Sequence, residues 1–367
     1  MKKKIAAAWL ICFALLLLLP RAIWWAAKDR FETEATENTV ITRAPRLTSQ
    51  NYLSFPAEFE AYYNDNVPFR SQLISFNSLV DVRLFRERSV NDKVVVGDEN
   101  WLFYGAESDI DDYKGTNLFS QQQLAAIAGN LTASQAYLAE QGIEFVLFLA
   151  PNKETVYGED MLPSYYKQAP LSRVQQLVDY LRENTDIRVV YPLEDLKEYK
   201  EEYFLYWHYD THWNLAGGYI GGRALLKELG IEAPAIEELT LEENDYSGYD
   251  LARMMNLEAY YREKMPKDIN YFVTGYNGNN LQAVLVDDAT ALVYHSDAPD
   301  PRKLFLVRDS FAGSMAGILA SSFRDTYMPH WNGFFTQDQI REQDPDIFVL
   351  EMVERRLDYL ETFLLGE

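Results

Sequence analysis

The chain is short of cysteine, histidine and positive charge, and the shortages of cysteine and of positive charge each remove a class of function. Its single cysteine, Cys12, lies in an apolar run near the N-terminus. The rest of the chain therefore has no disulfide framework, no thiolate nucleophile and no cysteine-held metal. Only four histidines are present among 367 residues, and two of them, His208 and His212, stand in one short segment. Lysine and arginine number 34 against 56 acids, for a net charge of -22. The first 27 residues hold Lys2, Lys3, Lys4 and Arg21 and no acid, so the remainder carries 30 bases against 56 acids, a balance of -26. Such a surface repels phosphate backbones and argues against a nucleic-acid partner. There is no internal repeat and no low-complexity tract.

What is present suits a large buried core. Hydrophobic residues make up 48% and aromatics 14%, a composition that opposes disorder. The length allows one large domain or two ordinary ones. Residues 2–27 read KKKIAAAWLICFALLLLLPRAIWWAA. Three lysines followed by an apolar run imply either a cleaved signal peptide or a retained anchor. With Ala22 to Ala27 included, the run reaches the roughly 20 residues that a bilayer needs. Trp24 and Trp25 would then sit at the far interface, with the lysines in the cytoplasm. No convincing small-x-small cleavage motif is visible, which favours the anchor and places the remaining chain outside the cytoplasm. Residues 28–50 read as a polar linker before a domain spanning 51–367.

The domain begins with apolar residues at near-helical spacing between Pro56 and Arg88, broken at Pro68, which predicts two helices. "KVVVGDENWLFYG" (93–105) predicts a hairpin. Beyond it the pattern alternates. Ser120 with Gln123 forms a capping box that opens a helix, and Gly142 closes it. "IEFVLFLA" (143–150) is a strand, "SRVQQLVDYLREN" (172–184) a helix and "IRVVYP" a strand. "LAGGYIGGRALLKELG" (215–230) is a helix and "KLFLVR" (303–308) a strand, followed by a helix in "AGSMAGILASSF". "DIFVLEM" (346–352) is a strand and the tail a helix. Apolar strands alternating with helices imply an α/β fold whose mostly parallel sheet is covered on both faces. Residues 235–300 are less regular and read as an insertion of loops and short antiparallel strands.

Two segments carry chemistry. "YWHYDTHWN" (206–214) gathers His208, Asp210 and His212 among aromatics. Extended residues two apart point to the same side, so Asp210 can orient His212 and favour its charged form, as in the base half of a hydrolytic triad. A hydrogen-bonded histidine in an aromatic corner fits the same residues. His208, Asp210 and His212 together also make a His-x-Asp-x-His set for a divalent metal, but His295 and His330 lie in no ligand-like cluster. The second segment, "LFLVRDSFAGSM" (304–315), runs from an apolar strand through Asp309-Ser310 into a helix. Ser310 there projects from the carboxyl end of a strand at a helix N-terminus, where free N–H groups favour a developing oxyanion. Capping of that helix by Ser310 or Asp309 is the plainer alternative.

Asp-Thr-His-Trp followed 98 residues later by strand-Asp-Ser-Phe-helix resembles the alginate O-acetyltransferase family and the Gram-positive proteins named for an Asp-His-His-Trp signature. "FEAYYNDNVPFR", "VVVGDENWLFYG", "APNKETVYGEDMLP" and "PDIFVLEMVERRL" extend the resemblance over most of residues 50–360. One departure is Thr211, where the Gram-positive signature has a second histidine. The resemblance implies an SGNH-hydrolase-like α/β fold with the catalytic motifs in permuted order. It implies Ser310 as nucleophile, His212 as general base and Asp210 as the group orienting it. The N–H of Ser310 and a side chain such as Asn152 would form the oxyanion hole. Lys153 and Arg355 would line the cleft, unless each is only a salt bridge on a helix or loop. No cofactor or metal is implied. The implied activity is extracytoplasmic transfer of acetyl groups to an exopolysaccharide or cell-surface glycan. Its acetyl donor would be a polytopic membrane-bound O-acyltransferase. An esterase with the same triad and a non-catalytic polysaccharide-binding protein are the competing functions.

Overall fold

A computed structural model describes residues 2–27, 42–246, 249–265, 269–274 and 281–366. Most of the expected linker, 28–41, lies outside the described residues. The chain divides into two compact units, one of residues 1–87 with 252–258, the other of 88–251 with 259–367.

The smaller unit is helical. Lys2–Ala27 is one helix, and its Ile5–Trp24 stretch of 20 residues is long and apolar enough to cross a membrane. The two helices expected before Arg88 form as Phe55–Asp65 and Arg70–Val80, the second continuing through a π turn at Asp81–Phe85. Pro56 sits in the first turn, where its missing N–H has no partner to lose. Pro68 separates the helices, and Phe69 turns the chain with a left-handed backbone, φ 59°. Phe59, Tyr63, Leu73 and Phe76 on these helices are exposed.

The larger unit is built on sheets. Strands β1 (Ser89–Asn91), β2 (Val94–Val96) and β3 (Leu102–Tyr104) form a small antiparallel sheet containing the expected hairpin. The central sheet has seven strands: β4 (Glu144–Ala150), β5 (Arg188–Val190), β8 (Gln282–Asp287), β9 (Ala291–His295), β10 (Asp300–Val307), β11 (Phe323–Pro329) and β12 (Ile347–Val353), in the order β5-β4-β12-β10-β11-β9-β8. The first five in that order are parallel, and β9 and β8 add an antiparallel edge. A separate ribbon pairs β6 (Thr240–Asp245) with β7 (Ile269–Thr274).

The inner strands of the central sheet carry apolar runs because both faces are covered. Val146, Phe148 and Ala150 join one core, while Phe145, Leu147 and Leu149 join the other. Leu304 and Leu306 alternate with Phe305 and Val307 in the same way. Helices Lys153–Met161, Leu215–Glu228 and Ala316–Ser322 contribute to the first core, and Gln121–Ala139 and Arg173–Asn184 to the second. Ser120 and Gln123 form the full capping box, and Gly142 takes the left-handed conformation after the helix.

Three expectations need correction. The segment after Ser310 is a 3₁₀ helix, Phe311–Met315, before an α-helix that stops at Ser322; Phe323 already begins β11, a strand the sequence pattern concealed. Small residues favour no particular structure there, and Phe323 is apolar enough for either. The tail coils as a 3₁₀ helix, Glu354–Glu361. Within the irregular 235–300 region, β8 and β9 extend the central sheet itself.

Candidate active site

The carboxyl ends of β10 and β12, together with the loop 204–214, converge on one place. Tyr206 and Trp213 pair as an antiparallel bridge, and the Trp207 N–H donates to the His212 carbonyl at 3.3 Å, so residues 208–211 form the loop tip. Asn214 caps the following helix, its Oδ1 accepting from the N–H groups of Ala216 and Gly217. The loop is tied down from outside as well. Tyr206 donates its hydroxyl to the Pro151 carbonyl at 2.6 Å, and the Leu102 N–H donates to the His208 carbonyl at 2.8 Å.

The serine turn is held from below. Asp309 Oδ1 accepts the Phe311 N–H and Oδ2 accepts the Val353 N–H, each at 2.8 Å, while its own N–H donates to Glu351. Asp309 thus does the capping, and the Ser310 side chain makes no capping bond. The capping alternative holds for Asp309 and not for Ser310. Ser310 is exposed, with its hydroxyl free to meet the histidine. The helix carrying Gly218 and Gly222 packs directly on this turn. A Cβ on Gly218 would lie 2.5 Å from Ser314, and one on Gly222 2.5 Å from Ile318. The Trp213 indole donates to the Phe311 carbonyl at 2.8 Å, joining the histidine loop to the serine turn.

Ser310 Oγ lies 2.7 Å from His212 Nε2, and His212 Nδ1 lies 2.7 Å from Asp210 Oδ1. Asp210 is buried, and His212 keeps 26% of its side chain exposed. Burial alone would raise the Asp210 carboxyl, but the bonds from His212 and the imidazole's charge hold it well below the carboxylate range. Burial alone would lower His212; the hydrogen bond and charge of Asp210, joined by Asp250, outweigh it and raise the imidazole, with Arg355 pulling the other way.

Asp250 is the member the sequence reading missed. Its Oδ1 accepts the Thr211 N–H at 2.8 Å, its Oδ2 accepts the Thr211 hydroxyl at 2.7 Å, and its N–H donates to Asp210 Oδ2 at 3.0 Å. It comes from the irregular region 39 residues after Thr211, and no pattern in the chain points to it. Among the described residues, the group able to hold a cation is Asp210, His212 and Asp250, with ligand atoms within 4.8 Å of one another. His208 has no place in it. It packs against the rings of Trp101 and Phe204, at 4.3 and 5.1 Å between centroids, so the His-x-Asp-x-His set does not assemble.

The remaining expected residues part company. Lys153 does not line a cleft. It is buried, and its ammonium donates to the carbonyls of Trp207, His208 and Asp210 at 3.0, 3.2 and 2.6 Å, beneath the loop that carries Asp210. Asn152 is buried, with its backbone N–H on Glu354 and neither atom of its amide hydrogen-bonded. It follows β4, so β12 lies between it and the strand of Ser310. Arg355 lies close enough to His212 for its charge to act on the imidazole. Its guanidinium lies 5.2 Å from the Phe311 ring, and the nearest carboxylate oxygens, of Asp109 and Glu107, are at 3.6 and 3.8 Å. Its Nη1 is buried without a hydrogen bond.

Residues 94–299 match the family model for the SGNH hydrolase-like domain of the acetyltransferase AlgX. The chain belongs to this acetyltransferase family. The match includes Asp210 and His212 and ends before Ser310. No curated protein matches. Among solved structures, Bacillus cereus PatB1 with a sulfonyl adduct is similar over 75% of this chain and 98% of its own, at 16% identity and a TM-score of 0.52. A DHHW family protein from Eubacterium siraeum is similar over 75% and 96%, at 14% identity and a TM-score of 0.52. At these identities the likeness is one of fold.

Proposed function

We propose that this acetyltransferase works outside the cytoplasm, moving an acetyl group through an acetyl-serine at Ser310 onto a hydroxyl of an exopolysaccharide or cell-surface glycan. The observation that carries the reading is the unbroken chain Asp210–His212–Ser310, with both links at 2.7 Å. His212 Nε2 takes the Ser310 proton as Oγ attacks the acetyl carbonyl, then passes that proton to the departing oxygen of the donor. A sugar hydroxyl next gives its proton to the same nitrogen and attacks the acetyl-serine, and the serine oxygen leaves and regains the proton. Asp210 keeps the imidazole in the tautomer this requires. The Ser310 N–H and Arg355 are the donors for the oxyanion, and the unbonded amide of Asn152 is the further candidate.

In this reading Ile5–Trp24 anchors the enzyme in the membrane, with the catalytic domain outside. Acetyl-CoA is absent there, and the family resemblance implies a polytopic membrane-bound O-acyltransferase as the donor. The excess of acids disfavours a polyanionic acceptor and favours a neutral glycan.

The test is intact-protein mass spectrometry of the full chain in detergent after incubation with an activated acetyl ester, beside Ser310→Ala. One acetyl adduct mapping to Ser310, absent from the variant and discharged by glycan faster than by water, supports transfer. Discharge by water alone would make the protein an esterase. A folded wild type with no adduct and no ester turnover would leave the binding function.

A further inference from the structure

We propose that Asp250 is a positioning residue for His212, acting through the hydroxyl of Thr211, so that two carboxylates rather than one hold the imidazole. The inference rests on the reading of His212 as the general base.

Asp250 Oδ2 is 3.8 Å from His212 Nδ1, too far for a hydrogen bond. Thr211 fills the gap. Its Oγ1 lies 2.7 Å from Asp250 Oδ2 and 3.2 Å from His212 Nδ1. A hydroxyl has one proton and two lone pairs. Giving the proton to Asp250 leaves a lone pair for the Nδ1–H, which is then shared between Asp210 Oδ1 and Thr211 Oγ1. The ring nitrogen thus reaches one acid directly and the other through a single hydroxyl.

The arrangement is braced on several sides. The Asp250 N–H donates to Asp210 Oδ2, and the Tyr246 hydroxyl reaches the same oxygen at 3.4 Å. The Leu251 N–H donates to the Tyr209 carbonyl, and the Tyr246 ring stacks on Trp207 at 3.8 Å. Among the described residues, the charged groups acting on His212 are Asp210, Asp250 and Arg355, the last opposing its protonation, while Tyr246 faces Asp210. Burial first, then the charge of Asp210, pushes the Asp250 carboxyl upward, while the charge on His212 and the bonds from Thr211 pull it back. Ionisation of Asp250 and protonation of His212 therefore favour each other. When His212 takes the proton of Ser310, the imidazolium gains a second anion at the moment it forms.

A purely structural role is the competing account, since Asp250 also accepts the Thr211 N–H and so closes the loop. Asp250→Asn keeps an oxygen for that bond and removes the charge. The direct readout is the imidazole titration of His212, followed by NMR on the full chain carrying labelled histidine in detergent. With four histidines in the chain, His212→Gln identifies its signal. The expected result in Asp250→Asn is a fall of roughly half to one pH unit in the midpoint of His212. The acid limb of the ester-turnover profile should move the same way, and turnover should drop about tenfold. Thr211→Val should match it, the double variant should be no worse than either single one, and Thr211→Ser should behave as wild type. An unchanged His212 midpoint in folded Asp250→Asn, or losses that add in the double variant, would overturn the proposal. If the wild type turns over no ester, the titration still decides the coupling, and only the acetyl-transfer reading fails.

Discussion

Two strand ends of the central sheet look alike in sequence and behave differently in the structure. "FLAPNKE" ends β4 and "FLVRDSF" ends β10, each an apolar strand, a polar pair and a helix start. In the pair after β10, Asp309 turns inward to take two backbone N–H groups, and Ser310 is left in the open. After β4 both polar residues turn inward. Asn152 binds Glu354 through its N–H, and Lys153 is drawn under the histidine loop by three carbonyls. The lesson is that partners arriving from distant segments decide which polar residue at a strand end stays exposed.

The largest expected effect breaks the β10 end at its exposed residue. Ser310→Ala should lower ester turnover by about a thousandfold or more, because triad members act as a unit. Its melting temperature should stay near wild type, since the side chain caps nothing. Removing the inward residue should show the opposite balance. Asp309→Ala strands the Phe311 and Val353 N–H groups and should lower stability by about 2–4 kcal/mol in denaturant titration. Turnover should fall about ten- to a hundredfold as the turn loosens. Its counterpart at β4, Lys153→Met, should cost a similar roughly 2–4 kcal/mol by taking the ammonium from the buried carbonyls of Trp207 and Asp210. Turnover should fall about tenfold, with no change in which residue is acetylated.

A sharper comparison asks which strand end serves the oxyanion. Arg355→Lys should reduce kcat about tenfold, while Asn152→Ala should change it less. A larger loss in Asn152→Ala, measured on the same ester, would assign the oxyanion to the β4 side instead. A further effect concerns pH. Glu354 accepts the Asn152 N–H and the Thr155 and Tyr191 hydroxyls. Burial outweighs those bonds and raises it from 4.5 to about 7. A raised carboxyl contributes stability that is complete below its unfolded value and lost as pH rises through its folded one. Stability should therefore decline between about pH 4.5 and 7, by up to roughly 3 kcal/mol for this group. Glu354→Gln should flatten that part of the curve in unfolding titrations.

Much of this was legible in the chain, for identifiable reasons. The strands β4, β10 and β12 carry nearly continuous apolar runs, 145–150, 304–307 and 347–350, because both faces are covered there, and that pattern survives without any knowledge of partners. Asp210, His212 and Ser310 could be singled out because each stands where local geometry alone aims it, two apart on a loop or at a strand-to-helix turn. Lys153 misled because a lysine next to a strand end reads as a surface charge. Only the fold supplies the carbonyls of Trp207, His208 and Asp210 that draw it inside. Asp250 was invisible for the same reason, since its meaning comes from Thr211, a residue whose own hydroxyl looks unremarkable. Short antiparallel strands were expected in the irregular stretch, but not that β8 and β9 would join the central sheet, because β8 is exposed along its length and shows no buried alternation.

The bond from the Trp213 indole to the Phe311 carbonyl has a wider bearing. It joins two segments 98 residues apart without using the chain that runs between them. Neighbourhood in the active site is thus maintained by a side chain acting as a rivet, and the backbone route becomes a matter of wiring. A fold assembled in that way can be rewired, with histidine preceding serine or following it, and keep the same working parts.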